Sequence, residues 1–192
     1  AGRGGTRVRN SGQLIDAATR SHLWANRFDG TIDDVFELQD RITENVVAAL
    51  APTLHQAEIE RARSKPATNL DAYDYLLSAV PMLVANTAED AATAIELLWE
   101  ALRRSPAYAR AHAYIAMAHA QIYRSAVGAA RDELQGKAIA HARQAVQLAA
   151  EDSVALAHAG FVLLVTARDV AAARAALDRA VTLNPNQMTA FA

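Results

Sequence analysis

The stretch that decides the fold is AIELLWEALRRSP, residues 94–106, because its spacing of small, large and turn residues recurs twice. Residues 173–185 read ARAALDRAVTLNP, with the same order of alanine, leucine, alanine and proline at the same offsets. Residues 138–150, AIAHARQAVQLAA, keep the offsets but place alanine where the other two segments have leucine and proline. Steps of three and four residues put these positions on one helix face, so each segment predicts an amphipathic helix.

The terminal markers of these segments predict a repeat architecture. Pro106, Ala150 and Pro185 lie 44 and 35 residues apart. The second separation is close to the period of about 34 residues of a common helical-hairpin repeat, and the first exceeds it by about ten. The middle unit therefore carries roughly ten extra residues. We expect them within residues 125–136, either in the hairpin loop or in the helices that flank it.

The offsets resemble those of the second helix of a tetratricopeptide repeat. The first helices agree more weakly, although Gly160 occupies the glycine position of that family and Leu163 the position of its tyrosine. The resemblance implies a mostly α fold, a tetratricopeptide-type α-solenoid of helical hairpins spanning residues 66–192. Its repeats would be 70–106, 107–150 and 151–185, followed by the start of a further helix.

Residues 1–65 predict a different structure. Residues 6–16 and 21–28 contain β-branched and aromatic side chains on either side of a turn-like segment, which is typical of a β-hairpin. Thr31 is placed to cap a following helix. Because two strands alone are marginally stable, the hairpin and its helices are expected to form the C-terminal part of a small α/β module. Residues 64–69 are the predicted linker.

This first part resembles a bacterial linker module. The segments that carry the resemblance are QLIDAAT (13–19), HLW (22–24), RFD (27–29) and DVFELQD (34–40). The module is similar to the end of the amino-terminal domain of the Tol–Pal propeller protein, and Arg20 departs from it at a usual glycine. In the family it precedes tetratricopeptide repeats in bacterial class III adenylate/guanylate cyclase-like proteins and in membrane-tethered winged-helix transcriptional activators.

Composition excludes several classes of function for this stretch of chain. Hydrophobic residues make up 52% of the sequence, and the net charge is −2 with no basic stripe, so no nucleic acid is expected as a partner. The sequence contains no cysteine. It also has no apolar run of membrane-spanning length, so we expect no membrane insertion by this stretch. Its ends suggest a piece of a longer protein. The compartment stays open: cytoplasmic, or periplasmic if a membrane helix precedes it.

No pattern in the sequence predicts a catalytic, cofactor-binding or metal-binding residue. His112 and His119 lie seven residues apart on one helix face, roughly 10 Å along its axis, which is too far for one metal ion. The acidic pair Glu89 and Asp90 follows Thr87 and is explained by helix capping. We therefore expect this stretch not to be an enzyme, and cyclase activity, if present, would belong to other parts of the parent protein.

The positive functional expectation is a concave groove formed by the first helices of the hairpins, suited to an amphipathic helix or an extended peptide. The predicted lining residues are Tyr73, Leu76, Val80, Arg110, Ala113, Met117, Gln121, Ala157 and Phe161. The alternative is that these residues pack against a continuing array or a second copy of the chain. The sequence thus predicts a non-catalytic interaction or regulatory scaffold in a bacterial signalling protein, adenylate/guanylate cyclase-like by resemblance. The rival hypotheses are the sensor region of a winged-helix activator and a purely structural assembly scaffold.

Overall fold

The chain divides into two compact units, Ala1–Arg61 and Ala62–Ala192. The computed structural model describes residues 7–15, 20, 22–31, 43, 55–62, 65 and 70–185. The helix predicted to begin after Thr31, most of the predicted linker and the further helix after residue 185 lie outside these residues.

The division lies slightly before the predicted boundary at residue 65. Lys65 belongs to the second unit, where its ammonium nitrogen lies 2.7 and 2.6 Å from the two carboxylate oxygens of Asp74.

The described part of the first unit contains the predicted β-hairpin. Strands β1 (Arg7–Ile15) and β2 (His22–Thr31) pair in antiparallel register, with Arg7 opposite Thr31 and an irregularity between Leu14 and Ile15. The second strand runs further than the prediction, to Thr31. Residues 55–61 of this unit are helical.

Arg20, at the turn position where the resembling family has glycine, has a φ of 59°. This is the left-handed conformation that glycine adopts without strain.

The described part of the second unit is helical throughout. Its α-helices are α1 (Ala72–Ala85), α2 (Ala88–Arg104), α3 (Ala109–Ser125), α4 (Gly128–Leu148), α5 (Ser153–Val162) and α6 (Val170–Leu183). A π-helical turn, Leu163–Ala167, connects α5 to α6. Each helix packs on the next one in the chain, and α3 also packs on α5. The connections are short, which favours antiparallel neighbours.

Side chains at the helix starts explain why the chain breaks where it does. Asp71 and Asp74 form a reciprocal capping box at the start of α1. Thr87 accepts a hydrogen bond from the backbone N–H of Asp90 at the start of α2, as the capping interpretation of that acidic pair predicts. Asp152 caps α5 and Asp169 caps α6 in the same manner.

The recurring positions of the sequence face the core. Leu98 is fully buried, and the small residues at the repeated offsets expose at most 1% of their surface: Ala94, Ala101, Ala138, Ala142, Ala145, Ala173 and Ala180. Small side chains let neighbouring helices approach closely, so burial here depends on many alanine contacts rather than on large aromatic residues. The repeated pattern is therefore a packing pattern.

The extra residues expected in the predicted middle repeat, 107–150, lengthen its helices rather than its loop. The connection between α3 and α4 consists only of Ala126 and Val127, whereas α4 has 21 residues compared with 17 in α2 and 14 in α6. The predicted third repeat, 151–185, exceeds the usual period by about one residue, and this excess has a different explanation. A π-helical turn inserts one residue into a helix, and Leu163–Ala167 supplies one between the first and second helices of that unit.

Candidate partner-binding groove

Two adjoining cavities lie along α1, α3 and α5. The larger has a volume of about 460 Å³ and is lined by Asn86, Met117, Ala120, Gln121, Tyr123, Arg124, Phe161, Val165 and Thr166. The smaller has a volume of about 160 Å³ and is lined by Val80, Leu83, Val84, Tyr114, Met117, Gln121 and His158. Because both cavities include Met117 and Gln121, we describe them together as the groove. It is lined by the first helix of each hairpin and by the π turn.

Four of the predicted lining residues meet in this groove: Val80, Met117, Gln121 and Phe161. Three others do not line it. Leu76, Ala113 and Ala157 have at most 1% of their surface exposed, so they belong to the core and the prediction was wrong for their role. The physical reason is that α3 packs on α2, α4 and α5, which leaves only a narrow part of its surface facing outward.

Tyr73 and Arg110 were also predicted to line the groove, but they line neither of its two cavities. Tyr73 is half-buried and packs against the core of the first hairpin. Arg110 donates from Nε and Nη2 to the two carboxylate oxygens of Asp152, at 3.1 and 3.0 Å. Burial lowers the pKa of Arg110, but the bonds to Asp152 outweigh it and the net shift is upward. Because Asp152 also caps α5, Arg110 joins the second hairpin to the third.

The π turn supplies groove residues that the sequence did not indicate. Val165 exposes 50% of its surface, and its neighbour Leu164 exposes 41%, although both are apolar. An α-helical register assigns the residues after Leu163 to the wrong face, because the π turn adds one residue and rotates the later side chains about the helix axis. In the sequence, the π turn was indicated only by the 35-residue spacing, which slightly exceeds the usual period of about 34 residues.

Polar bonds hold the π turn and the groove walls in place. Gln135, in the lengthened part of α4, donates to the backbone oxygen of Thr166 at 2.8 Å. Gln121 donates from Nε2 to the backbone oxygen of Leu83 at 3.0 Å, which ties α3 to the end of α1. Its Oε1 is buried without a hydrogen-bond partner. These bonds hold the groove walls in a defined arrangement.

The charge of the groove is one-sided. Among the residues that line its two cavities, Arg124 is the charged side chain and no carboxylate is present. Arg124 donates to the side-chain oxygen of Asn86 at the end of α1. Tyr114 and His158 form the opposite end, with ring centroids 4.9 Å apart in an edge-on contact. Burial raises the pKa of Tyr114 to about 12, so this phenol stays neutral.

Three histidines cluster between α3 and α4, outside the groove. The Nδ1 atoms of His112 and His141 are 3.0 Å apart, and the ring centroids of His119 and His141 are 6.1 Å apart. Burial lowers the pKa of His119 and of His141 to about 4, so both are neutral at pH 7. In the described part of the chain, no group of three or more His, Cys, Asp or Glu side chains is placed to hold a metal ion.

Comparison with known proteins gives one relationship relevant to function. The chain is 34% identical over 115 residues to the protein named "Putative adenylate cyclase 3" of Rhizobium meliloti (strain 1021). The match covers 60% of this chain but only 20% of that relative. No protein-family model matches the chain, and no solved structure does. A link to cyclase-like proteins is therefore supported, over about one fifth of the relative's length.

No helix within the described ranges combines the length and hydrophobicity needed to cross a membrane.

Proposed function

We propose that the second unit is a tetratricopeptide-type repeat scaffold. In this proposal it is the regulatory, non-catalytic part of a larger bacterial adenylate/guanylate cyclase-like protein. The groove binds a polypeptide partner, and the cyclase chemistry belongs to another part of the parent. The match to a relative named as a cyclase supports the second half of this proposal. The packing inside the third hairpin supports the first half.

The observation that carries the repeat assignment is the contact between Gly160 and Leu177. A Cβ atom on Gly160 would lie 2.9 Å from Cγ of Leu177 and 3.2 Å from the backbone oxygen of Ala173. The glycine position of the first helix therefore packs directly on the large and small positions of the second helix. Such close packing explains why a tetratricopeptide hairpin needs a small residue at this position. The sequence offsets alone had assigned Gly160 to that position.

The groove supports a binding role because it crosses all three hairpins. A segment lying along Val80, Met117 and Val165 would contact α1, α3 and the π turn at once. A ligand shifts a conformational equilibrium only by its difference in affinity for the two states. A partner that contacts three hairpins can have such a difference, since any change in their relative angle changes its contacts. Binding would then alter how the output domains of the parent are brought together.

The test uses the full-length parent protein and measures cyclic nucleotide formation with Mg²⁺ or Mn²⁺. We expect activity in the parent, and we expect the Met117→Glu/Phe161→Glu variant to change either that activity or its response to cell extract. Val170→Glu is the matched control, because Val170 is 63% exposed and lines neither cavity. A parent that forms no cyclic nucleotide would refute the cyclase assignment. Equal behaviour of the groove variant and the control would refute regulation through the groove.

A further inference from the structure

A pair of cationic side chains stands at the α3–α4 end of the groove. Arg124 lines the larger cavity, and the guanidinium of Arg131 lies 4.0 Å from the ring centroid of Tyr123, another residue that lines that cavity. Arg131 also donates from Nη1 to the backbone oxygens of Tyr123 and Ala126, at 3.1 and 3.2 Å. Both guanidinium groups are thus positioned by the protein itself.

All of these partners are neutral. Asn86 holds Arg124, and two carbonyl groups and an aromatic face hold Arg131. Within the described ranges, neither arginine lies within 4.0 Å of a carboxylate oxygen, and nearby Glu133 pairs with Lys137 instead. A guanidinium has five N–H donors, so several remain available on each side chain. The guanidinium groups at this end of the groove can therefore bind an anionic side chain.

From this arrangement we propose that the groove receives an amphipathic, acidic segment of a partner protein. Its apolar side chains would occupy the two cavities that meet at Met117, and its Asp or Glu side chains would bind Arg124 and Arg131. Anchors spaced three or four residues apart on a helix suit adjoining apolar cavities, and a bidentate carboxylate suits a guanidinium. This proposal rests on the groove-binding function above and specifies the chemistry of the partner.

The charge pattern favours this occupant over a basic one. A basic segment would meet two cations and no acidic lining residue, which costs affinity through like-charge contacts. A wholly apolar segment would leave the guanidinium groups without an anionic partner. Because both arginines are near solvent, we expect their attraction to speed association and to weaken as salt is added.

The experiment selects peptides of about 15 residues, roughly four helical turns, from a displayed random library on the wild-type protein. Peptides that also bind Met117→Glu/Phe161→Glu are removed. We expect the enriched peptides to combine apolar residues at helical spacing with Asp or Glu near one end. An enriched peptide should bind Arg124→Glu at least about tenfold more weakly, a loss of about 1.4 kcal/mol. Replacing its acidic residues with arginine should restore binding to that variant.

Arg174→Glu is the control, because Arg174 is exposed on α6 and lines neither cavity. It should bind the peptide as the wild type does, and far-ultraviolet circular dichroism should show that every variant is folded. Enriched peptides without acidic residues would overturn the present proposal while leaving groove binding intact. A library that yields no peptide dependent on Met117 and Phe161 would overturn both.

Discussion

Replacing Gly160 with alanine tests the packing on which the repeat assignment rests. The new Cβ would lie 2.9 Å from Cγ of Leu177 and 3.2 Å from the backbone oxygen of Ala173. A contact below 3.0 Å requires a shift, and the oxygen of Ala173 belongs to the α6 backbone, which cannot move alone. Overpacking of this kind costs about 1–3 kcal/mol. Alanine in a helix interior is favoured over glycine by about 1 kcal/mol, which offsets part of that cost.

Gly136 supplies a matched control in the same protein. It lies inside α4, and a Cβ there would meet no atom within 4 Å. Gly136→Ala should therefore stabilise the protein by up to about 1 kcal/mol through helix propensity alone. Subtracting this gain, the two variants should differ by about 1–3 kcal/mol, with Gly160→Ala the less stable.

The assay is unfolding in urea, monitored by the helical circular dichroism signal at about 222 nm. The free energies of unfolding are obtained by linear extrapolation to zero urea. The unfolding midpoint of Gly160→Ala should lie below that of Gly136→Ala. If both variants shifted the midpoint upward by the same amount, the close approach of α5 and α6 would be absent and the reasoning refuted.

Three further predictions concern the core and its buried polar groups. Leu98→Ala should lower the unfolding free energy by about 2–5 kcal/mol in urea titrations, since Leu98 is fully buried, whereas an equally stable variant would contradict the core assignment. Asp74→Ala should cost about 3 kcal/mol in the same assay, because it removes the Asp74 half of the capping box and leaves Lys65 without its partner; a loss below that of an exposed ion pair would contradict it. Burial lowers the pKa of His119 to about 4 from an ordinary 6.5, so the native state binds fewer protons and stability should fall as pH drops from about 6.5 to 4. Allowing for partial hydration, His119→Leu should reduce this fall by about 1–2 kcal/mol between pH 7 and 4.5, and an unchanged pH profile would argue against the histidine's burial.

The helical class, the β-hairpin and the repeated core positions could all be predicted from residue patterns. Alanine and leucine at steps of three and four define one helix face wherever they occur, and a helix with one apolar face must bury it. The exclusion of Ala113 and Ala157 from the groove could not be predicted in this way. Both lie on the first-helix face from which the groove was inferred, but which part of that face stays open depends on how many neighbours pack around it.

Local sequence by itself determined the helix starts and the small-residue offsets, because caps and periodicity act over a few neighbouring positions. Only the tertiary structure decided where the groove lies, through the π turn at Leu163–Ala167 that exposes Val165. It also decided that Arg110 is engaged by Asp152 while Arg124 and Arg131 are held by neutral groups. The physical reason is that charge pairing depends on contacts between residues far apart in the chain, and one inserted residue rotates every later side chain of the helix.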